Sequence, residues 1–233
     1  TILFHRKDVS KSQAKELSIQ YLKDVGINNA EMVYHHYPNQ LSGGMRQRVV
    51  IAIALSCQPQ ILICDEPTTA LDVTVQDKIL NLIKDLQVKH GLSVIYITHD
   101  LGVVAKVADY VAVMYAGKIV EKGSVEEIFY DPRHPYTWGL LASMPDINTK
   151  EGTLHPIPGT PADLSKPVKG DAFAPRSPYA LNIDFVQDPP QFNVGGKHRV
   201  SSWLLDDRAP AVQMPKELQD RINLMKKEAG INV

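Results

Sequence analysis

The sequence has few cysteines, almost no excess of charge of either sign and no long apolar run, and each shortage excludes a class of protein. Two cysteines, Cys57 and Cys64, occur among 233 residues. Both sit inside apolar stretches, which predicts buried, unreactive thiols in preference to a disulfide or a metal pair. Lys and Arg number 25 and Asp and Glu 26, which leaves a formal charge of -1. Because nucleic-acid-binding proteins rely on a positive field, we expect no nucleic-acid partner.

The shortness of the apolar runs argues against a membrane-spanning protein. Runs such as residues 49–56 are far shorter than the roughly 20 residues that a transmembrane helix needs, and no signal-peptide pattern opens the sequence. The chain is 44% hydrophobic, which is enough to bury a core. We therefore expect a soluble, cytosolic protein.

Helix and strand signals alternate in the first half of the sequence. Ser42 can cap a helix that runs to about Cys57. The run ILICD, residues 61–65, is typical of a strand buried on both faces. An apolar helical stripe follows and ends at Gly91, and SVIYIT, residues 93–98, is a second β-branched run. Strand, helix and strand at this spacing predict a parallel sheet with a crossover helix.

The second half differs in composition. Residues 110–123 indicate a hairpin with its turn at residues 116–117, and Ser124 with Glu127 has the pattern of a capping box. Of the 16 prolines, 11 lie from Pro145 onward, so we expect few and short regular elements there. Aromatic residues are nevertheless too frequent in that stretch for a disordered tail. We interpret it as a loop-rich appendage packed on another part of the protein.

Acidic side chains follow the first predicted strand, and a histidine follows the second. Parallel strands deliver functional groups at their carboxyl ends, where Asp65, Glu66 and His99 are found. An aspartate there can hold Mg²⁺, which usually arrives with substrate phosphates. Glu66 is then placed to polarise an attacking water, and His99 to reach a phosphate oxygen. The alternative is that the two acids form a polar strand end and that the histidine is structural.

The segment LSGGM, residues 41–45, presents a hydroxyl and unobstructed amides at the start of a helix. The positive end of the helix dipole favours an anion at Ser42, Gly43 and Gly44, and phosphate is the expected guest. Taken alone, the same residues favour a well-capped structural helix; the motifs that follow make an anion site the better interpretation.

Together these segments resemble the motifs of ATP-binding cassette (ABC) ATPases. LSGGM is similar to the family's signature motif, and ILICDE, residues 61–66, to its Walker B strand with the catalytic Glu. TALD, residues 69–72, resembles the D-loop, and His99 the switch histidine. The resemblance covers residues 1 to about 145 and implies an α/β fold of the P-loop NTPase type, with helices flanking a parallel sheet.

The resemblance also implies a role for each motif residue. Asp65 would organise Mg²⁺, Glu66 would act as general base, and His99 would contact the γ-phosphate of ATP. In this family two nucleotide-binding domains hold ATP between them head to tail, so a second ABC ATPase subunit, identical or different, is expected. The residues expected to bind nucleotide across that interface are Ser42, Gly43, Gly44, Gln47 and Asp72.

A second resemblance concerns the C-terminal part. Residues 131–145, 156–164 and 173–180 resemble the C-terminal extension of ATPases from dipeptide and oligopeptide importers. The sequence is thus divided into a partial ABC nucleotide-binding domain, residues 1–145, and an importer extension, residues 146–233.

In several relatives this extension carries cysteines for an iron-sulfur cluster. Here Asp171 and Ser177 stand at the corresponding positions, and no cysteine follows Cys64. Thiolates are the ligands that hold such clusters, so no iron-sulfur cluster is predicted. Residues 203–212 are similar to the cysteine-free oligopeptide branch of the family.

One family motif is missing. No Gly-x-x-x-x-Gly-Lys-[Ser/Thr] string, the P-loop that cradles phosphates, occurs in the 233 residues. We therefore expect an N-terminally truncated chain that binds ATP weakly and is inactive alone.

The leading functional hypothesis is an ATPase subunit that powers oligopeptide uptake, bound peripherally at the cytoplasmic face of a bacterial membrane. Its partners would be integral permease subunits and, indirectly, an extracellular peptide-binding protein. Two alternatives stay open: a non-transport ABC ATPase, and a non-catalytic interaction or regulatory fragment.

Overall fold

A computed structural model describes residues 1–69, 71–144 and 157–231. Three residues of the motifs quoted above, Ala70, Pro145 and Pro156, lie outside these ranges. The chain divides into two compact units, Thr1–Asp100 and Leu101–Val233. The boundary expected from the motif resemblance, at residues 145 and 146, stays a prediction. Within the described ranges, no helix combines the length and apolar character that crossing a membrane requires.

The first unit is a helical layer on a small parallel sheet. Its helices are α1 (Ile2–His5), α2 (Lys11–Asp24), α3 (Ala30–Val33), α4 (Gly43–Leu55) and α5 (Val73–His90), with a 3₁₀ turn at Pro38–Gln40. Its strands are β1 (Ile61–Asp65) and β2 (Ser93–Ile97), which pair in parallel. The parallel strands and the crossover helix α5 are confirmed. The helix capped by Ser42 and the end of α5 at Gly91 are confirmed as well.

The prediction that β1 is buried on both faces is wrong. Leu62 and Cys64 share one core with α4 and α5, but Ile61 and Ile63 on the other face are 56% and 63% exposed. The pattern continues on β2, where Ile95 and Ile97 are about half exposed. Within the described residues, helices cover only one face of this two-stranded sheet. A continuous apolar run in the sequence was therefore not enough to show that both faces of β1 are buried.

The cysteine prediction is correct for one thiol and wrong for the other. Cys64 lies on the core face of β1, and burial raises the pKa of its thiol to about 11. Cys57 is exposed, because it lies just beyond Leu55, in the turn that ends α4. Both are free thiols, in agreement with the expectation of no disulfide.

The second unit is built on an antiparallel sheet. Its strands are β3 (Tyr110–Tyr115), β4 (Lys118–Ser124), β5 (Gln191–Gly195) and β6 (His198–Ser201), and their order in the sheet is β3-β4-β6-β5. Its helices are α6 (Leu101–Val107), α7 (Val125–Tyr130), α8 (Pro135–Ala142) and α9 (Lys216–Glu228), with 3₁₀ turns at Ala174–Arg176, Asn182–Phe185 and Trp203–Leu205. The predicted hairpin and the Ser124–Glu127 capping box are confirmed.

The expectation of few and short elements after residue 145 is only partly correct. Helix α9 is 13 residues long, and β6 pairs with β4 so that the hairpin β5–β6 extends the β3–β4 sheet. The prolines stop at Pro215, directly before α9, which leaves the helix free of breakers. Leu218 and Ile222, four positions apart, bury one face of the helix.

A buried carboxylate ties three segments of this unit together. Glu121 on β4 has no exposed surface. Its Oε1 accepts a hydrogen bond from the Arg133 amide at 2.6 Å, and its Oε2 accepts one from the His134 amide at 3.1 Å. His198 Nε2 on β6 lies 2.8 Å from Glu121 Oε1. The interior of the unit therefore contains a hydrogen-bonded network, as buried polar groups require.

His134 is the buried N-cap of α8, and its titration makes the stability of this unit depend on pH. Its Nδ1 accepts a hydrogen bond from the Tyr136 amide at 3.0 Å. Burial lowers the pKa of His134 from 6.5 to about 4, although the nearby Glu121 acts to raise it. The His134 imidazole binds a proton more readily in the unfolded chain than in the folded one. The free energy of unfolding therefore has its full value above pH 6.5 and decreases as the pH falls towards 4.

We expect the replacement His134→Asn to remove this pH dependence, because asparagine can cap α8 without titrating. Between pH 7 and 4.5 the wild-type chain should lose about 2–3 kcal/mol more unfolding free energy than the variant. Urea unfolding followed by tryptophan fluorescence measures the difference, since both tryptophans, Trp138 and Trp203, belong to this unit. Identical pH dependence in the two proteins would contradict the assignment.

Candidate functional site

Glu66 lies at the point where the chain leaves the parallel sheet. Strand β1 ends at Asp65, which stands opposite Ile97 in the register with β2. The Glu66 amide continues the pairing by donating to the Ile97 carbonyl at 2.9 Å. Its φ of 46° lies in the left-handed region, which is uncommon for a residue with a side chain. Such local strain is a feature of functional sites.

The structure brings Glu66 and His99 into direct contact. His99 Nδ1 lies 2.7 Å from Glu66 Oε1, at the carboxyl ends of the two neighbouring strands. The histidine side chain is largely exposed, and the glutamate is about one third exposed. The hydrogen bond to His99 is the largest cause that lowers the pKa of Glu66, and the same bond raises the pKa of His99. Each partner therefore favours the charged form of the other.

Asp65 stands at the same strand end with an exposed carboxylate. Carboxylate oxygens are ligands that Mg²⁺ accepts, and Mg²⁺ usually completes its shell with waters and substrate phosphates. Among the described residues no group of three His, Cys, Asp or Glu side chains could hold a metal ion by itself. Asp65 thus fits the role of one ligand to an ion that arrives with phosphate.

The predicted anion-binding helix start forms as expected in its local geometry. Ser42 is the N-cap of α4, and its Oγ accepts a hydrogen bond from the Met45 amide at 3.3 Å. Ser42 and Gly43 are exposed, whereas Gly44 and Gln47 are half-buried. The capping interpretation of Ser42 is therefore correct, and it is compatible with an anion at the two exposed residues.

The start of α4 lies against the start of α5. A Cβ atom added at Gly44 would come within 3.1 Å of Val75 Cγ1, so the glycine permits a close approach. Asp72 is the N-cap of α5, and its Oδ1 accepts a hydrogen bond from the Val75 amide at 2.9 Å. The residues predicted to bind nucleotide thus fall into two neighbourhoods: Glu66 with His99, and the adjoining starts of α4 and α5.

Two further contacts at the site were not predicted from the sequence. Thr69 Oγ1 donates to Glu66 Oε2 at 3.0 Å, and Gln76 Nε2 on α5 donates to Asp100 Oδ2 at 3.3 Å, beside His99. The only available signal was the position of Thr69 at the start of TALD. A hydroxyl three residues after an acid is too common a pattern to single out.

Comparisons with known proteins agree with the motifs. The ABC transporter family matches residues 1–69, and the oligopeptide/dipeptide transporter C-terminal region matches residues 120–183. Glu66 lies within the first match, and His99 lies between the two. Over these two regions the chain is similar to ABC transporter ATP-binding proteins.

Relatives define the class more closely. The chain is 59% identical over 222 residues to the oligopeptide transport ATP-binding protein OppD of Bacillus subtilis, covering 95% of the chain and 62% of OppD. It is 55% identical over 229 residues to AmiE, an oligopeptide transport ATP-binding protein of Streptococcus pneumoniae, with 98% and 64% covered. It is 56% identical over 211 residues to the dipeptide transport ATP-binding protein DppD of Lactococcus lactis, with 91% and 60% covered. The chain is thus a homologue of oligopeptide and dipeptide transport ATP-binding proteins, and it spans less than two thirds of their length.

Proposed function

We propose that this chain is part of the ATP-hydrolysing subunit of an ABC importer that powers oligopeptide uptake. The observation that carries the proposal is the 2.7 Å contact between Glu66 and His99 at the ends of two adjacent parallel strands. The matches to oligopeptide and dipeptide transport proteins support the choice of cargo over a non-transport role.

In the proposed mechanism Glu66 is the general base. His99 and Thr69 hold its carboxylate ionised at neutral pH, because hydrogen bonds to the charged form lower its pKa. An ionised carboxylate can accept a proton from a water molecule as that water attacks phosphorus. His99, held by the same carboxylate, presents its exposed imidazole ring to the γ-phosphate.

Mg²⁺ and ATP are the proposed cofactors, and Asp65 is the proposed protein ligand of the metal. When bound, Mg²⁺ would neutralise the charge that develops on the phosphate oxygens. No P-loop string occurs in the 233 residues, so the chain supplies only part of the contacts that a triphosphate needs. By itself it is proposed to bind ATP weakly and to be inactive.

The start of α4 is proposed to serve a second nucleotide. Ser42 and Gly43 expose a hydroxyl and a backbone amide at a helix N terminus, with Gly44 and Gln47 beside them. These groups would bind the ATP of a second ABC ATPase subunit, and Asp72 would lie at the interface between the two subunits. We also propose that the subunit works with membrane permease subunits and, indirectly, with a peptide-binding protein. It would be bound peripherally at the cytoplasmic face of the membrane.

The extension is proposed to lack an iron-sulfur cluster. Asp171 Oδ1 accepts a hydrogen bond from the Phe173 amide at 2.9 Å, and Ser177 Oγ accepts one from the Tyr179 amide at 3.2 Å. Both side chains therefore have local structural roles, and both offer oxygen where a cluster needs sulfur. An iron-dependent absorbance band in the anaerobically purified full-length protein would contradict this part of the proposal.

Uptake by the reconstituted transporter tests the function. Proteoliposomes that contain the full-length ATPase and its permease subunits should accumulate a labelled oligopeptide only when ATP and Mg²⁺ are supplied on the ATPase side. Replacement of His99 by alanine should reduce the initial uptake rate about 10-fold or more, since a contact to the reacting phosphate is removed. His90→Ala, at the end of α5, is the matched control and should keep the wild-type rate. ATP hydrolysis without any peptide accumulation would favour a non-transport ATPase.

A further inference from the structure

Thr69 closes the turn that follows Glu66 through two separate hydrogen bonds. The Thr69 amide donates to the Glu66 carbonyl at 3.2 Å, and the Thr69 hydroxyl donates to Glu66 Oε2 at 3.0 Å. The first bond belongs to the backbone and persists whatever side chain stands at position 69. The second depends entirely on the hydroxyl, so the two contributions can be separated by substitution.

The two oxygens of the Glu66 carboxylate have different partners. Oε1 faces His99 Nδ1 at 2.7 Å, and Oε2 accepts the Thr69 hydroxyl. The terminal torsion of a glutamate side chain is broad and roughly two-fold, so one hydrogen bond leaves the carboxylate plane poorly fixed. A second bond to the other oxygen restricts that rotation. Because about one third of the Glu66 side chain is exposed, packing alone does not immobilise it.

The residue before Thr69 is hydrogen-bonded to the segment that leads into α5. The Leu71 amide donates to the Thr68 carbonyl at 3.2 Å, and Asp72 caps the helix one residue later. Helix α5 has 18 residues and buries Ile79, Ile83 and Leu86 in the core of its unit. The backbone beside Thr69 is therefore tied to a segment that a rigid helix follows directly.

We propose that Thr69 is a positioning residue for ATP hydrolysis, whose hydroxyl fixes the plane of the Glu66 carboxylate towards the attacking water. The inference rests on the proposed function, because it assigns to Thr69 the orientation of the general base. Thr69 acts through Glu66 and does not itself need to touch the nucleotide.

The test compares Thr69→Val and Thr69→Ser in the full-length ATPase assembled with its permease subunits. Valine keeps the branched shape and loses the hydroxyl, whereas serine keeps the hydroxyl. We expect Thr69→Val to lower kcat about 3- to 10-fold with little change in KM for ATP, since one charge-assisted hydrogen bond to the base is lost. Thr69→Ser should restore most of the wild-type kcat. Thr160→Val, at an exposed threonine of the other unit, is the matched control.

The split between kcat and KM, together with rescue by serine, distinguishes positioning from a merely structural role. Loss of the positioning hydroxyl lowers kcat and leaves KM for ATP nearly unchanged, whereas a general structural defect changes both or lowers the amount of folded protein. A wild-type kcat in Thr69→Val would overturn the inference, and so would an equal loss in Thr69→Ser. Wild-type activity in Glu66→Gln would reject Glu66 as general base and with it the proposed function. A loss of activity in Glu66→Gln with no loss in Thr69→Val would reject only the role of Thr69.

Discussion

We expect replacement of Glu66 by glutamine to lower the ATPase kcat of the full-length protein by about 10²- to 10⁴-fold, the usual contribution of a general base. Glutamine has nearly the same shape and still offers one oxygen to His99, but it cannot take a proton from water. Phosphate release by the assembled transporter under saturating MgATP measures the effect. Because the substitution removes a proton acceptor and no phosphate-binding group, KM for ATP should change little.

The control for this prediction is the same change at a carboxylate outside the site. Glu31, on α3, is exposed and pairs with Lys23 Nζ at 2.6 Å. Glu31→Gln should keep the wild-type kcat, because exposed ion pairs contribute little to folding. Equal activity in Glu66→Gln and the wild-type protein would reject Glu66 as general base, whatever its contact with His99.

Local signals in the sequence predicted the elements of the first unit well. Ser42 and Gly91 act at the ends of helices, where a side-chain oxygen or a left-handed glycine satisfies groups that the helix leaves unpaired. These interactions span only three or four residues, so the sequence contains all that is needed to recognise them. The parallel pairing of β1 with β2 followed from the length of the connection between them.

Burial of β1 could not be predicted in the same way. Ile61 and Ile63 are as apolar as Leu62, and nothing in their order reveals which face a helix will cover. Whether a face is covered depends on the number of elements packed on the sheet, a property of the whole fold. The exposed isoleucines of β1 and β2 form a contiguous apolar face of the kind that favours association or aggregation.

The site was predictable in outline and not in its detail. Asp65, Glu66 and His99 were placed correctly at the ends of adjacent strands because parallel topology brings those ends to one edge. The hydrogen bond from Thr69 was missed, since it depends on the rotamers of two side chains and on the left-handed backbone of Glu66. Turn geometry of this kind is decided by atomic packing rather than by residue pattern.

The network around Glu121 was invisible in the sequence for a different reason. Its carboxylate meets His198, which is 77 positions away, and the two residues stand in segments with no shared pattern. A glutamate between Val120 and Lys122 in a strand also looks like an ordinary solvent-facing residue. Only the pairing of β4 with β6 makes it interior.

Glu121→Leu should lower the unfolding free energy of the second unit by about 3–5 kcal/mol, because three interior donors lose their acceptor and each unsatisfied group costs about 1–3 kcal/mol. Leucine accepts no hydrogen bond, so the Arg133 and His134 amides and the His198 ring lose their acceptor in the interior. Urea unfolding at pH 7 followed by fluorescence of Trp138 and Trp203 reports on this unit. Glu228→Leu, an exposed position at the end of α9, is the matched control and should change stability by about 0.5 kcal/mol or less.

A double-mutant cycle separates the Glu121–His198 hydrogen bond from general loss of packing. His198→Leu alone leaves Glu121 as a buried carboxylate without its imidazole partner, and it should also destabilise the unit strongly. The double variant Glu121→Leu/His198→Leu buries two apolar side chains in place of the pair, so neither side chain leaves the other without its partner. Its destabilisation should therefore be smaller than the sum of the two single effects by about 1–3 kcal/mol. Strict additivity would mean that the two side chains contribute independently, and it would reject an energetic coupling between Glu121 on β4 and His198 on β6.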